Sequence, residues 1–368
     1  MALTRTYYRV AEHLFAVESS NTALWNVMSN YEPFRVERKI NDNIDNVSRQ
    51  STPCRDTDME CDEHSDCIFT LRVERGDSAP QKSADFSGTP QAMRREGEGY
   101  THVVTDNAEE DMPRIEVYRA RRREGDEARE WLFRVAMVAN APICCEMECS
   151  EAFTEGVLRI AADCQDVRFC IDNALMLLFA FRTAPLKTLE MHAAVVVKAD
   201  SCAVGSQTAT KSLLDHPYGL IDSQENGYLF LGHSGTGKST HARQWLAAFD
   251  DAWLLNDDNP ILRVMEDGEV RVYGSPWSGK TPCYNSAYAR VGGIVKLSQA
   301  PHNKIRTISL PEAYAYILSS ASGLKMDRQM ADHLHETVKH VVMNVECYHL
   351  ECLPNTEAAE ECWEEVRF

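Results

Sequence analysis

The stretch Gly227-Tyr228-Leu229-Phe230-Leu231-Gly232-His233-Ser234-Gly235-Thr236-Gly237-Lys238-Ser239 decides how the second half of this chain is built. Its first five residues are apolar and aromatic-rich, which predicts a buried strand. The rest fits G-x-x-x-x-G-K-[ST], in which glycines let backbone N–H groups turn towards phosphate oxygens. An apolar stripe with helical spacing follows, formed by Ala242, Trp245, Leu246 and Phe249. Strand, glycine loop and helix in this order predict a phosphate loop at a positive helix end.

The pattern assigns roles within this loop. The lysine, Lys238, is expected to reach the outer phosphates of ATP or another nucleoside triphosphate, and the hydroxyl of Ser239 is expected to ligate Mg²⁺ or Mn²⁺. The predicted nucleotide-binding residues are Gly232, His233, Ser234, Gly235, Thr236, Gly237, Lys238, Ser239 and Thr240.

A second stretch, residues 274–281, fits the same pattern but lacks its flanks. Pro282 follows directly, and Pro276 removes a backbone donor that a phosphate cradle uses. We interpret it as a loop that presents three side chains, either to a substrate near the first site or at the surface. These are Trp277, Ser278 and Lys280.

An apolar strand with two carboxylates at its end follows the predicted phosphate-loop helix. Trp253, Leu254 and Leu255 lead into Asn256, and then come Asp257 and Asp258. One carboxylate in this position can hold magnesium, and the other can accept a proton from an attacking hydroxyl. Because adjacent carboxylates repel each other, a cation is expected beside them. A solvated acidic turn is the alternative.

Composition narrows the class of protein. The chain has 368 residues and a net charge of −18, which argues against nucleic acid as a partner. No signal peptide and no apolar run long enough for a bilayer are apparent, so we expect a cytoplasmic protein without a membrane contact. Its 13 cysteines suit a reducing compartment. Cys54, Cys61, His64 and Cys67 match no zinc spacing, and buried or incidental thiols are the favoured interpretation there.

Two domains are expected, residues 1–186 and 187–368. The first half shows short strand patterns separated by polar loops, and its role is open. The predicted strands are Thr6–Val10, Cys67–Val73, Ile115–Tyr118 and Trp131–Val135. A buried helix is predicted from Asp172 or Asn173, which would cap it, to Phe181. One strand is predicted from Thr188 to Val197, and two C-terminal helices follow later, the last from Asn355 to Arg367.

Three segments together resemble the superfamily of phosphoenolpyruvate carboxykinases and HPr kinase/phosphorylases. They are Met191-His192-Ala193, the loop Gly232–Thr240, and Leu254-Leu255-Asn256-Asp257-Asp258. The likeness covers roughly residues 187–300 and is greatest to HPr-kinase-related proteins. It implies an α/β (α+β) chain with a strongly twisted mixed sheet carrying the phosphate loop, preceded here by a β-rich N-terminal domain. Since HPr kinases form hexamers, it also implies a homo-oligomer.

Carried over by position, the resemblance implies that Lys238 contacts the β- and γ-phosphates and that Ser239 ligates the metal. Asp257 would be general base or metal ligand with Asp258 as its partner, and His192 would lie beside the transferred phosphoryl group. Two family features are absent. Arg290 to Val295 only partly matches the P-x-G-x-G-I-I signature of HPr kinases, and the basic residues that hold oxaloacetate in carboxykinases are not found.

The sequence therefore predicts an ATP-dependent, Mg²⁺-dependent phosphotransferase that acts on a hydroxyl of a protein or small molecule. A nucleotide-binding regulatory module without turnover is the first alternative. A carboxykinase-like lyase is the second.

Overall fold

A computed structural model describes residues 3–37, 67–75, 100–106, 113–120, 130–199, 225–279 and 281–367. These residues form two large mixed sheets with helices packed on and between them. The predicted mixture of α and β structure is thereby confirmed. Several sequence predictions concern residues outside this part of the chain: Cys54, Cys61, His64 and Lys280.

The first half of the chain contributes nine strands and two helices among its described residues. They are β1 (Thr4–Val10), β2 (His13–Ser19), α1 (Leu24–Val27), β3 (Arg35–Val36), β4 (Thr70–Arg75), β5 (Tyr100–Asp106), β6 (Arg114–Ala120), β7 (Trp131–Ala136), β8 (Ile143–Cys149), β9 (Glu155–Ile160) and α2 (Val167–Thr183). A 3-10 turn, Ser29–Phe34, precedes β3, and another, Ala184–Leu186, follows α2.

The strands of this half form one sheet in the order β3-β1-β2-β4-β9-β8-β7-β6-β5. The pairs β2–β4 and β4–β9 are parallel, and the other pairs are antiparallel. The predicted strand patches around Thr6, Ile115 and Trp131 are confirmed as parts of β1, β6 and β7. The strand predicted from Cys67 begins later, at Thr70.

Helix α2 lies between the two sheets and contacts β8, β9 and β10 (Thr188–Glu190). Its predicted cap is wrong. Asp166 caps it, accepting the Phe169 N–H at 2.9 Å, whereas Asp172 accepts the hydroxyl of Tyr31 at 2.7 Å. The apolar helical stretch is also longer than the sequence suggested. Val167–Leu186 has the length and composition of a membrane span, but 56% of its apolar window is buried inside the protein, as in a core helix.

The second half forms the other sheet. After β10 its elements are β11 (Ala193–Ala199), β12 (Glu225–Leu231), α3 (Lys238–Ala248), β13 (Trp253–Asn256), β14 (Ile261–Val264), β15 (Val270–Tyr273), β16 (Tyr288–Gln299), β17 (Lys304–Thr307), α4 (Leu310–Ser320), α5 (Arg328–Asn344), β18 (Cys347–Cys352) and α6 (Thr356–Val366). The final helix is capped by Asn355, as predicted, through the Ala358 N–H at 3.1 Å.

The strand order of this sheet is β10-β14-β15-β16-β12-β11-β13, with β18 beside β16 and β17 beside β18. The pairs β12–β16 and β16–β18 are parallel, and the others are antiparallel. One face buries a cluster against α3 and α6 that includes Trp245 and Trp363. The other face shares a continuous apolar core with α2 and the first sheet. The two halves are therefore packed against each other through a common interior.

A tight turn in the first half fixes this packing at one end. Ala11 and Glu12, between β1 and β2, both adopt positive φ (47° and 65°). The turn places Glu12 against the second sheet, where its carboxylate accepts Tyr273 OH at 2.6 Å and Arg263 Nη1 at 2.8 Å. Charge-assisted bonds of this length hold a contact firmly when it is partly buried.

Candidate functional site

The predicted site residues meet at one edge of the second sheet. Ala193 at the start of β11 pairs with Leu231 at the end of β12, and Val195 of β11 pairs with Asn256 at the end of β13. Antiparallel pairing thus brings the segment before β11 beside the segments that follow β12 and β13. His192, the glycine loop (residues 232–237) and the acidic turn (residues 256–259) are neighbours for this reason.

The glycine loop turns sharply between β12 and α3. Gly235 and Gly237 have φ of 76° and 107°, a region that disfavours side chains with a Cβ. At Gly232 an added Cβ would lie 2.9 Å from the Thr236 side chain, so the loop closes on itself at its base. Gln299 Nε2 donates to Gly235 O at 3.1 Å and fixes the tip from β16. The predicted strand before this loop and helix after it are confirmed.

Lys238 is the first residue of α3, and its side chain is buried beneath the loop. Its ammonium Nζ donates to Gly232 O at 3.1 Å and lies 2.9 Å from His192 Nε2. Burial lowers the pKa of Lys238, and the nearby charge of Lys296 lowers it further, whereas Asp258 and Asp257 oppose the shift. The Lys238 ammonium lies against a carbonyl and an imidazole, and an anion can replace these two partners.

His192 makes two contacts through one nitrogen. Its Nε2 is 2.9 Å from Lys238 Nζ and 3.2 Å from Asp258 Oδ1. A charged lysine offers only hydrogens, so it needs the lone pair of Nε2, whereas an ionised carboxylate needs a hydrogen there. Both contacts cannot be hydrogen bonds at once. A proton on Nε2 therefore favours the contact with Asp258, and a free lone pair favours the contact with Lys238.

A break in the sheet exposes His192. The single strand predicted from Thr188 to Val197 is wrong: β10 ends at Glu190 and β11 starts at Ala193. Between them Met191 N–H donates to Pro260 O at 2.9 Å and His192 N–H donates to Ser320 O at 2.7 Å. Because these bonds go to other segments, the chain leaves the ladder and His192 points into the site.

Asn256 organises the acidic turn. Its Oδ1 accepts the N–H groups of Asp258 at 2.9 Å and Asn259 at 2.8 Å, which closes an Asx turn. Its Nδ2 donates to Ser275 Oγ at 3.1 Å and to Trp277 O at 3.0 Å. One buried amide therefore holds the acidic turn and the tryptophan loop (residues 274–281) in a fixed relation.

The two carboxylates differ in surroundings. Asp257 is 2% exposed, and its Oδ2 accepts the Thr281 N–H at 3.2 Å. The side chain of Asp258 is 34% exposed and faces His192. A Cβ on Gly279 would lie 3.1 Å from Asp258 Cβ, so the tryptophan loop covers this pair closely. Asp257 is buried and Asp258 is partly exposed, and both lie beside the start of α3, which carries the hydroxyl of Ser239. This arrangement suits Asp257 as a fixed metal ligand and Asp258 as an exchangeable one.

The tryptophan loop differs from its prediction in one respect. Trp277 is 2% exposed, so it is not presented to a substrate or to solvent. Its Nε1–H donates to Tyr31 OH at 2.8 Å, and its ring meets Phe179 edge-on, because the first sheet and α2 cover this side of the loop. Ser278 donates to Thr281 O at 2.5 Å, and Lys280 lies outside the described residues.

Two residues near the site were not predicted from the sequence. Lys296 on β16 pairs with Leu231, the last residue before the glycine loop, and burial lowers its pKa. The sequence feature that could have identified Lys296 is a lysine within an apolar strand that neighbours the strand before the glycine loop. Glu190 on β10 is 1% exposed, and among the described residues neither of its oxygens has a hydrogen-bond partner. Nothing in its local sequence indicated that burial.

The chain matches no known protein-family model, and no curated protein is significantly similar to it. The resemblance to the carboxykinase and HPr-kinase superfamily therefore stays a prediction from three short segments.

Proposed function

We propose that this protein is an ATP-dependent phosphotransferase whose acceptor is a hydroxyl of a protein or a small molecule. The single observation that carries the proposal is the convergence of Lys238, His192 and Asp258 within contact distance beside the glycine loop. Phosphoryl transfer needs a cation at the outer phosphates, carboxylates for a metal and a group near the transferred phosphate.

The residues present suit the ligand chemically. The glycine loop keeps the exposed His233, Ser234 and Gly235 at the start of α3, where a helix end favours an anion. Lys238 and Lys296 supply positive charge. Burial lowers the pKa of each lysine, which indicates that the surrounding groups do not fully compensate its positive charge. Phosphate oxygens that replace Gly232 O and His192 Nε2 around Lys238 Nζ would restore that compensation.

The metal would be held by oxygens. Ser239 Oγ and the carboxylates of Asp257 and Asp258 are the donors, a set that suits Mg²⁺ or Mn²⁺. Bound there, the ion would neutralise charge on the phosphates. Asp257 is fixed by Thr281 N–H, so it keeps its position, whereas Asp258 is free to exchange His192 for the ion.

The acceptor hydroxyl would lose its proton to one of these groups. His192 Nε2 and the Asp258 carboxylate are the accessible bases, while Asp257 is almost fully buried in the described fold. The resemblance implied that Asp257 is general base or metal ligand. Since both carboxylates are proposed as metal ligands, the geometry favours His192 Nε2 for this role, and we propose that division.

The test uses the purified full chain with γ-labelled ATP, Mg²⁺ and cell extract. We expect label on an acceptor, and a loss of about a hundredfold or more in Lys238→Ala and Asp258→Asn. Lys304→Ala and Asp267→Asn are matched controls, because both side chains are on exposed surface elsewhere and should leave transfer unchanged.

Binding of Mg·ATP by calorimetry separates the alternatives. Tight binding with neither transfer nor hydrolysis would contradict the kinase and support the regulatory module. Release of carbon dioxide from oxaloacetate would support the lyase instead. Absence of Mg·ATP binding by the wild type would refute the nucleotide site altogether.

A further inference from the structure

Three buried cysteines meet in the first half of the chain, far in sequence from the candidate site. The Sγ atoms of Cys144, Cys164 and Cys170 all lie within 4.8 Å of one another. Cys170 Sγ is 3.5 Å from Cys164 Sγ and 3.7 Å from Cys144 Sγ. They come from three different places: β8, the loop before α2, and the second turn of α2.

A β-bulge adds a fourth thiol. Val135 pairs with Cys145 and Ala136 pairs with Ile143, so Cys144 is an extra residue in β8. A bulge interrupts the strict alternation of side chains, which lets neighbouring residues turn to the same side. The Cys145 thiol accordingly interacts with those of Cys144 and Cys170. Cys145 therefore adjoins the cluster of Cys144, Cys164 and Cys170, and all four thiols are buried.

The spacing fits a metal better than a disulfide. A tetrahedral Zn²⁺ with Zn–S bonds of about 2.3 Å holds its sulfurs about 3.8 Å apart, whereas bonded sulfurs are about 2.0 Å apart. The observed 3.5 and 3.7 Å lie close to the first value. These two separations are therefore those expected for ligands of one ion.

The surroundings favour thiolates. Cys164 and Cys170 flank the start of α2, whose positive end stabilises negative sulfur. Asp163 and Gln165, on either side of Cys164, are exposed. The short loop before α2 therefore lies between the cluster and solvent, and an ion can enter there.

We propose that Cys144, Cys164 and Cys170 form a structural thiolate site for Zn²⁺ that fastens the loop before α2 to β8, with the adjoining Cys145 as fourth ligand. The ion would bind with release of one proton to solvent for each thiol that is protonated beforehand, and without any change of oxidation state. Soft thiolates select Zn²⁺ over Mg²⁺, so this site is chemically distinct from the oxygen donors of the candidate active site.

The experiment uses the full chain, reduced, stripped of metal with a chelator and then titrated with Co²⁺ and Zn²⁺. We expect about one equivalent of Co²⁺ to give the sulfur-to-cobalt charge-transfer bands and the intense visible bands of a tetrahedral thiolate site, and Zn²⁺ to displace it. This readout needs no variant. A wild type that gives no such spectrum would overturn the proposal.

Variants locate the ligands. Cys144→Ser and Cys170→Ser should each weaken Co²⁺ binding at least about tenfold and lose charge-transfer intensity. The double variant Cys54→Ser/Cys61→Ser and the variant Cys362→Ser are controls that should keep the wild-type spectrum. Spectra retained in the cluster variants but lost in the double variant would overturn the assignment.

Stability and redox state complete the test. Zn²⁺ should raise the thermal unfolding temperature of the wild type and of the control variants, but not that of Cys170→Ser. Mass spectrometry after alkylation should find all four thiols modified only once the metal is removed. A disulfide between Cys164 and Cys170 in protein purified without oxidant would contradict the metal site.

Discussion

Glu190 offers the sharpest physical test because, among the described residues, its buried carboxyl group has no hydrogen-bond partner. It lies on β10, two residues before His192, and is 1% exposed. Burial raises the pKa of Glu190 from 4.5 to about 8, and the negative charge of Asp258 adds to the rise. At neutral pH the native protein therefore holds a proton on Glu190 that the unfolded chain releases.

The sign and size of the pH dependence follow from this difference. The native pKa is the higher one, so the contribution to stability is complete below about pH 4.5 and is lost as the pH rises through about 8. Since one pKa unit corresponds to about 1.4 kcal/mol, the full range is about 5 kcal/mol. About 3.5 kcal/mol of it falls between about pH 5 and about pH 8.

Glu190→Gln keeps the shape of the side chain and cannot ionise. Urea unfolding followed by tryptophan fluorescence at the two pH values should show that the wild type loses about 3.5 kcal/mol more than this variant. Taking the difference removes the effect of other titrating groups common to both proteins. Glu155→Gln, on the exposed start of β9, should behave as wild type. Equal losses in wild type and Glu190→Gln would refute the reasoning.

Three further predictions concern packing, the tryptophan loop and a buried histidine. Gly274→Ala should destabilise the protein by roughly 3 kcal/mol or more in urea unfolding, because its Cβ would lie 2.0 Å from Asn285 O. Trp277→Phe removes the donor to Tyr31 OH and should cost about 1–3 kcal/mol in the same assay. Burial lowers the pKa of His241 to about 4, so the wild type should lose stability as pH falls from about 6.5 to 4. His241→Gln should lose about 3 kcal/mol less than the wild type over that range, measured by unfolding at both ends.

Each of these has an outcome that would contradict it. Gly293→Ala, whose Cβ would meet Tyr348 at an ordinary 3.5 Å, is the control for Gly274→Ala, and equal costs would exclude the steric argument. Trp277→Phe with wild-type stability would mean that the bond to Tyr31 contributes nothing. A His241→Gln variant that loses as much stability in acid as the wild type would show that another group causes the loss.

The sequence predicted the elements around the glycine loop well because they depend on local patterns. An apolar run before the glycines and a helical stripe after Lys238 are each fixed by neighbours in the chain, and β12 and α3 are where these patterns place them. Asp257 and Asp258 were likewise placed at a strand end by the apolar residues before them.

The remaining errors arise where distant segments decide the structure. Met191 and His192 read as strand residues, yet Pro260 and Ser320 take their hydrogen bonds. Trp277 reads as a loop residue, yet the first sheet buries it. The cysteine cluster depends on a β-bulge that no sequence pattern in β8 predicts. None of these follows from periodicity, because each requires knowing which segments pack together.

The tryptophan loop has a mechanical consequence for the whole molecule. It is fastened at one end to the first half, through Trp277 and Tyr31, and at the other to the acidic turn, through Thr281 N–H and Asp257. Such a loop acts as a strut between the two sheets. If the first sheet moved by about 1 Å and the loop moved with it, the 3.2 Å contact at Asp257 would become longer than a hydrogen bond. Through these two hydrogen bonds the loop links the position of the first half to the geometry of the carboxylates.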